Sequence, residues 1–202
     1  MTVENLTADA EVFTSNVFLV TGERTVLVDA GTMDGLDASI AERVDALDAV
    51  LITHQHGDHV GELATVMERF DPELYAYDPH PERTHALEDG DVVQIGDEEF
   101  GTVYTPGHAD DHVSFLGDTA LFSGDVVVYN DGAFDDGSFG RTDQPGQSRE
   151  RLIESLQELL DRMRPGVSAM YPGHGRSYEG DVRTVVERAL ERAERREPKY
   201  QN

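Results

Sequence analysis

The chain predicts an α/β fold in one domain covering residues 1–202. Three observations lead there. The length, 202 residues, is enough for one domain with a sizeable core. Short β-branched or aromatic runs alternate with stretches whose apolar residues recur at helical spacing. Several of the strand-like runs end in a glycine-containing turn that carries a His or an Asp.

From the start of the chain, Glu11–Phe13, Val17–Val20 and Thr25–Val28 read as short strands, with a turn at Gly22-Glu23-Arg24. Leu36, Ile40, Val44 and Leu47 fall at helical spacing, so Leu36–Leu47 is expected as a helix leading into the strand Ala49–Ile52. Gly61–Phe70 is a second helix, with Leu63, Val66, Met67 and Phe70 on one stripe. Strands then recur at Leu74–Tyr77, Asp91–Gln94, Glu99–Tyr104, Val113–Leu116, Ala120–Ser123 and Val126–Val128. Asn130–Gln147, rich in Gly and Asp, is a long loop, and loops of that length tend to be functional. Ser148–Arg162 is an amphipathic helix with Ser148 as N-cap and Arg151, not Glu, at the capping-box position. Val167–Met170 is apolar, and Asp181–Arg196 forms the last helix before a charged tail. No internal linker or short repeat interrupts this order.

The hexapeptide His54-Gln55-His56-Gly57-Asp58-His59 carries the most chemistry. Imidazole and carboxylate suit zinc and other first-row divalent ions. On leaving a strand, His54 and His56 can reach one point while Asp58 and His59 reach another, which suits two metals better than one. Chance clustering in a loop is the competing reading. Other strand ends supply matching groups: His108 in Thr105-Pro106-Gly107-His108, Asp125 in Phe122-Ser123-Gly124-Asp125, and His174 in Tyr171-Pro172-Gly173-His174. A single turn histidine is often only solvated; beside the hexapeptide, ligation is the stronger reading for each.

These motifs, with Val28-Asp29-Ala30-Gly31 and Gly140-Arg141-Thr142-Asp143, resemble the metallo-β-lactamase superfamily from about Asn16 to Gly175. Within it they resemble the glyoxalase II-like (hydroxyacylglutathione hydrolase-like) and persulfide dioxygenase-like branch; the Gly-Arg-Thr-Asp stretch leans that way. The resemblance implies a four-layer αβ/βα sandwich with metals at one edge between two sheets. It implies a first metal on His54, His56 and His108 and a second on Asp58, His59 and His174, bridged by Asp125. It also implies a Zn2+-dependent hydrolase of a small acyl-thioester, acting through metal-activated hydroxide, with Asp58 and Asp125 in the catalytic centre. Arg141 is the candidate contact for a substrate carboxylate, or else pairs with Asp143. His112 is read either as a residue behind the ligands or facing substrate, or as a solvated loop histidine. Asp29 either orients a ligand histidine or simply initiates a turn.

The chain carries 41 acidic and 16 basic residues, with Lys199 its only lysine, for a formal charge of −25. Such self-repulsion becomes tolerable in molar salt, where the Debye length falls to about 3 Å. The composition therefore reads as the cytoplasm of a salt-in halophile. The acids lie among periodic apolar segments instead of in one block, which excludes an acidic disordered protein. The same charge opposes attraction to nucleic acid or anionic membrane. There is no cysteine, so disulfides, thiolate zinc sites and Cys nucleophiles are excluded. No run approaches the roughly 18 apolar residues of a membrane span. Met1–Asn5 lacks the basic and apolar regions of a cleaved signal peptide, so an intracellular enzyme is expected.

Thioester cleavage is the least demanding reaction for such a site, because a thiol of pKa about 8.5 departs as thiolate without a general acid. Full-length glyoxalase II grips glutathione with a basic C-terminal extension. Only 28 residues follow His174, and Arg183, Arg188, Arg192, Arg195 and Arg196 lie on one terminal helix, read as a surface element. Glutathione is therefore not expected as the carrier thiol. Other readings are an iron (Fe2+) persulfide dioxygenase with a single metal on two His and one Asp, a nuclease of the same fold, and a non-catalytic metal-binding protein. The nuclease would ordinarily bring a basic appendage, which is lacking here.

Overall fold

The computed structural model describes residues 1–197; residues 198–202, with Lys199 of the charged tail, lie outside the described residues. Two six-stranded sheets face each other. The first holds β1 (Thr2–Asn5), β2 (Phe18–Thr21), β3 (Val26–Val28), β4 (Ala49–Leu51), β5 (Glu73–Ala76) and β6 (His85–Ala86), in that spatial order. The second holds β7 (Val92–Ile95), β8 (Glu98–Tyr104), β9 (Val113–Leu116), β10 (Ala120–Gly124), β11 (Ala169–Pro172) and β12 (Tyr178–Glu179), ordered β12-β11-β10-β9-β8-β7. The helices are α1 (Leu36–Ala41), α2 (Gly57–Val60), α3 (Leu63–Phe70), α4 (Arg149–Arg162) and α5 (Val182–Glu194).

Strand alternation sorts the core into layers. Phe18, Val20, Val28 and Leu51 face Phe100, Val113, Phe115 and Phe122 of the other sheet. Phe122 meets Phe18 at 5.9 Å and Phe100 at 5.5 Å between ring centroids, edge-on or tilted as aromatic quadrupoles prefer. Each such fully buried ring contributes at most about 1.5–3 kcal/mol by burial. The intervening residues point outward: Leu19, Leu27 and Val50 pack under α1 and α3. Val103, Leu121 and Met170 pack under α4 and α5. Strands buried on both faces read as continuous apolar runs, as Phe18–Val20 and Ala49–Ile52 do. The four-layer αβ/βα sandwich implied by the resemblance is borne out.

Several elements differ from the sequence expectation. Glu11–Phe13 is irregular, and the edge strand is β1, pairing Thr2–Asn5 antiparallel with β2. Its polar, half-exposed residues give no alternation signal. The helix expected over Leu36–Leu47 stops at Ala41, because Asp48 bonds Thr25 through both its carboxylate and its backbone N–H. That draws the chain out so that it enters β4. The helix expected over Gly61–Phe70 is present from Leu63 as α3, preceded by a separate single turn, α2, inside the hexapeptide. Glu62 N–H bonds the Ala30 and Gly31 carbonyls instead of continuing one helix. Val126–Val128 is a buried turn after β10, with only an isolated bridge from Val128 to Ser138. The short edge strands β6 and β12 carry no sequence signal. Ser148 caps α4 as expected, its hydroxyl accepting the Arg151 N–H.

Candidate metal centre

β4 and β8, β10, β11 of the facing sheet end on the same edge, and the polar side chains gather there. Buried Ile52 and Thr53 carry the chain from β4 to His54. His56, extended at φ −65 and ψ 146, precedes α2, whose single turn presents Asp58 and His59. His108 follows β8, Asp125 follows β10 and His174 follows β11. Glycine makes this convergence possible. A Cβ at Gly173 would run into Asp125 Oδ1 and lie 2.8 Å from His59 Cε1, and one at Gly140 would lie 2.7 Å from His108 Nδ1. Gly107, at φ +129, lies against the Leu152 backbone, where a side chain would collide.

The donor atoms fall into overlapping groups, each with all its atoms within 4.8 Å: His54, His56 and His108; Asp58, His59 and His174; and His54, His59 and Asp125. His56 Nδ1 lies 3.1 Å from His54 Nε2 and 2.9 Å from His108 Nε2. His174 Nε2 lies 3.1 Å from Asp58 Oδ2. Asp125 stands between the groups, 3.6 Å from His59 Nε2, 3.3 Å from His108 Nε2 and 3.6 Å from His174 Nε2. All seven ligand-type residues expected from the sequence are thus brought together.

The ring tautomers are set from behind. Asp29 Oδ2 accepts His59 Nδ1–H at 2.8 Å, and the Arg141 carbonyl accepts His108 Nδ1–H at 2.9 Å. His54 Nδ1 meets Thr53 Oγ1 at 3.1 Å, and that hydroxyl donates to Asp29 Oδ2 at 2.8 Å. The Nε2 lone pairs of His54, His59 and His108 therefore face inward. His59 Nε2 and Asp125 Oδ1 are buried with no hydrogen-bond partner. In the first group His56 Nδ1 meets both His54 Nε2 and His108 Nε2, a spacing near the roughly 3.4 Å between nitrogens on a tetrahedral zinc. The residues fit divalent metal ions.

Electrostatics points the same way. Burial, then the neighbouring imidazoles, push His54 well below its ordinary value. Burial pulls His59 down, but the Asp29 and Asp125 carboxylates outweigh it and hold it up at about 9. Burial opposes ionisation of Asp125, yet His174 and His59 drive its carboxyl below the usual range. The carboxylates call for positive charge at His59 Nε2, where the nearest oxygen, on Asp125, is too far to accept a proton.

His112 is buried and turned from the cavity. Its Nε2 accepts the Asp125 backbone N–H at 2.9 Å and its Nδ1 meets Thr105 Oγ1 at 2.8 Å. It neither faces substrate nor lies in solvent. Asp29 is both the turn residue, at φ +61, and the orienter of His59. Arg141 lines the cavity over the site, and its guanidinium forks onto Asp143 at 2.9 Å through two nitrogens. Thr53, which ties Asp29 to His54, and Phe13, stacked on His174 at 5.5 Å between centroids, were missed in the sequence. An extended Thr beside the first histidine could have flagged Thr53; nothing local flags Phe13. The cavity, of about 680 Å³, opens between Phe13 and the Asn130–Gln147 loop. No helix of the described residues is long and apolar enough to cross a membrane.

The family model for the metallo-beta-lactamase superfamily matches residues 10–174. The chain is 36% identical over 152 residues to the hydroxyacylglutathione hydrolase of Vibrio cholerae serotype O1, covering 73% of this chain. It spans only 56% of that relative's length. Among solved structures, ETHE1 from Myxococcus xanthus superposes with a TM-score of 0.76 at 25% identity, over 98% of this chain and 92% of that one. TTHA1623 in a di-iron-bound form gives a TM-score of 0.68 at 27% identity, over 88% and 98% of the two chains.

Proposed function

This chain belongs to the metallo-β-lactamase superfamily, and on that premise we propose a metal-dependent hydrolase that cleaves a small acyl-thioester, with two divalent ions, zinc first among them. The observation that carries the reading is the pair of donor groups meeting at Asp125, with His59 Nε2 and Asp125 Oδ1 buried and unpartnered. His54, His56 and His108 would hold one ion and Asp58, His59 and His174 the other, with Asp125 between them. Bound there, divalent ions supply Lewis acidity and lower the pKa of a water from about 15.7 to about 7.

The chain's own groups do the rest. The Asp125 backbone N–H is held by His112 Nε2, which fixes the main chain that carries its carboxylate before substrate arrives. Arg141 stands at the cavity wall where its fork can meet a substrate carboxylate once it turns from Asp143. In the overall reaction water adds hydroxyl to the acyl carbon, the C–S bond breaks, and the sulfur leaves as thiolate and is protonated afterwards. A thiol's pKa of about 8.5 removes the need for a general acid. The chain has neither cysteine nor a Gly-x-Ser-x-Gly elbow to act as nucleophile. The name and identity of the Vibrio relative support thioester chemistry.

A second reading assigns iron and persulfide oxidation to the same residues. It is supported by the branch that the motifs resemble, while the di-iron form of TTHA1623 supports only iron, two ions of it, on this fold. One assay separates the readings. The purified protein is offered lactoyl-thioesters of several thiols, glutathione persulfide with oxygen uptake followed, and a phosphodiester reporter. We expect thioester turnover, abolished in Asp125→Ala and reduced at least about ten-fold in Arg141→Ala. Oxygen uptake alone would assign the dioxygenase, and phosphodiester cleavage alone a nuclease. Thioester turnover surviving Asp125→Ala would sink the mechanism.

A further inference from the structure

Among the described residues Phe13 is the most exposed large hydrophobic, at 80%, and its neighbour Val12 is 55% exposed. Both sit in the irregular segment before β2, and Phe13 forms part of the cavity wall. The segment is not loose. Thr32 Oγ1–H donates to the Phe13 carbonyl at 2.7 Å, and Thr32 N–H donates to Thr14 Oγ1 at 2.9 Å. Ser15 N–H bonds the Asp58 carbonyl at 3.0 Å, and Asn16 N–H bonds the Gly173 carbonyl at 2.7 Å. The backbone carrying the ring is thus fastened to the hexapeptide and to the turn before His174.

The ring stacks on His174 at an interplanar angle of 18°, yet stays largely exposed where it lines the cavity. A fastened segment that holds a phenyl ring in water forgoes the burial such a ring normally gains. An aromatic ring fixed in the wall of a concave site is placed to contact whatever that site binds. Apart from Val128, the side chains lining the rest of the cavity are polar, with Asn130, Asp131, Gln144 and Gln147 among them. Among the described residues Phe13 is thus the one aromatic ring besides the imidazoles in a mostly polar lining.

We propose that Phe13 forms an aromatic-binding subsite at the cavity mouth, so that the substrate carries an aromatic group on one side of its reacting carbonyl. The reacting group rests on the thioesterase reading; the recognition does not. The aromatic group can belong to the acyl or to the thiol part, and the test separates these sources.

The metal-loaded protein is assayed with three thioesters: lactoyl-N-acetylcysteamine, benzoyl-N-acetylcysteamine and the lactoyl thioester of benzyl mercaptan. We expect one aromatic thioester to exceed the first by about ten-fold in kcat/KM, equivalent to about 1.4 kcal/mol. Phe13→Ala should remove most of that ratio, and Phe13→Tyr, which keeps the ring, should retain it. A ratio near one in the native protein overturns the proposal. So does a Phe13→Ala loss equal for all three substrates, the result of a ring that only covers His174. In parallel, binding of the matching non-hydrolysable thioethers to metal-free protein is measured by calorimetry. If no thioester is turned over but native protein binds an aromatic thioether several-fold more tightly than Phe13→Ala does, the subsite stands and the thioesterase reading falls. Equal binding by the two proteins overturns the subsite whatever the reaction.

Discussion

Asp29 shows how a single residue sets the site. Buried at 2% exposure, it takes the His59 Nδ1–H, the Thr53 N–H and the Thr53 hydroxyl, while itself adopting φ +61. Its carboxylate decides which nitrogen of His59 is left for a metal. Asp29→Asn is expected to weaken retention of the second metal by about 10- to 100-fold, measured by competition with a chelator, with little change in circular dichroism. Unchanged affinity would mean that His59 is oriented by packing alone. At this scale the ligand-type residues were legible because spacing and residue type carry them. Asp29 was legible only as one of two alternatives, and His112 was ambiguous because burial is not written in a loop. Phe13 was misplaced on a strand, since three residues around Val12 do not reveal that Thr32 holds the Phe13 carbonyl and that Ser15, just beyond, is tied to the Asp58 carbonyl.

At the level of elements, the terminal helix has a role that its sequence did not suggest. Read as a surface element in place of a glutathione clamp, α5 also holds the long loop over the cavity. Arg192 bonds the Gly137 carbonyl, pairs with Asp136 at 2.7 Å and lies 4.3 Å over the Phe134 ring, while Arg188 lies 3.6 Å from Asp136. Gly137 is itself packed against the Val185 carbonyl, where a Cβ would stand at 2.8 Å. The same loop brings Gly140 and the Arg141 carbonyl to His108. Arg192→Ala is expected to raise KM several-fold with a smaller effect on kcat, and to speed amide exchange in residues 134–140. A uniform stability loss with unchanged exchange in that loop would return α5 to a purely packing role. Long, periodic elements such as α4 were legible from the pattern of their apolar positions. Helix ends at Ala41 and Glu62 were not, because Asp48 and Glu62 find partners on other elements.

For the whole molecule, the layers followed from apolar runs buried on both faces, but the pairing order of edge strands β1, β6 and β12 depends on contacts no local window contains. The charge of −25 is a property of the entire chain, and we infer that it reflects a high-salt environment. Raising potassium chloride from about 0.1 to 3 M should raise the melting temperature substantially, since unscreened repulsion falls as the Debye length shrinks. Indifference to salt would assign the composition another cause. The central claim is that the converging strand ends build one centre for two ions, and elemental analysis of protein purified without added metal tests it most directly. The native protein should carry close to two metal equivalents per chain, and His54→Ala or His59→Ala should each lose at least one. A stoichiometry of one, unmoved by replacing His59, would contradict it.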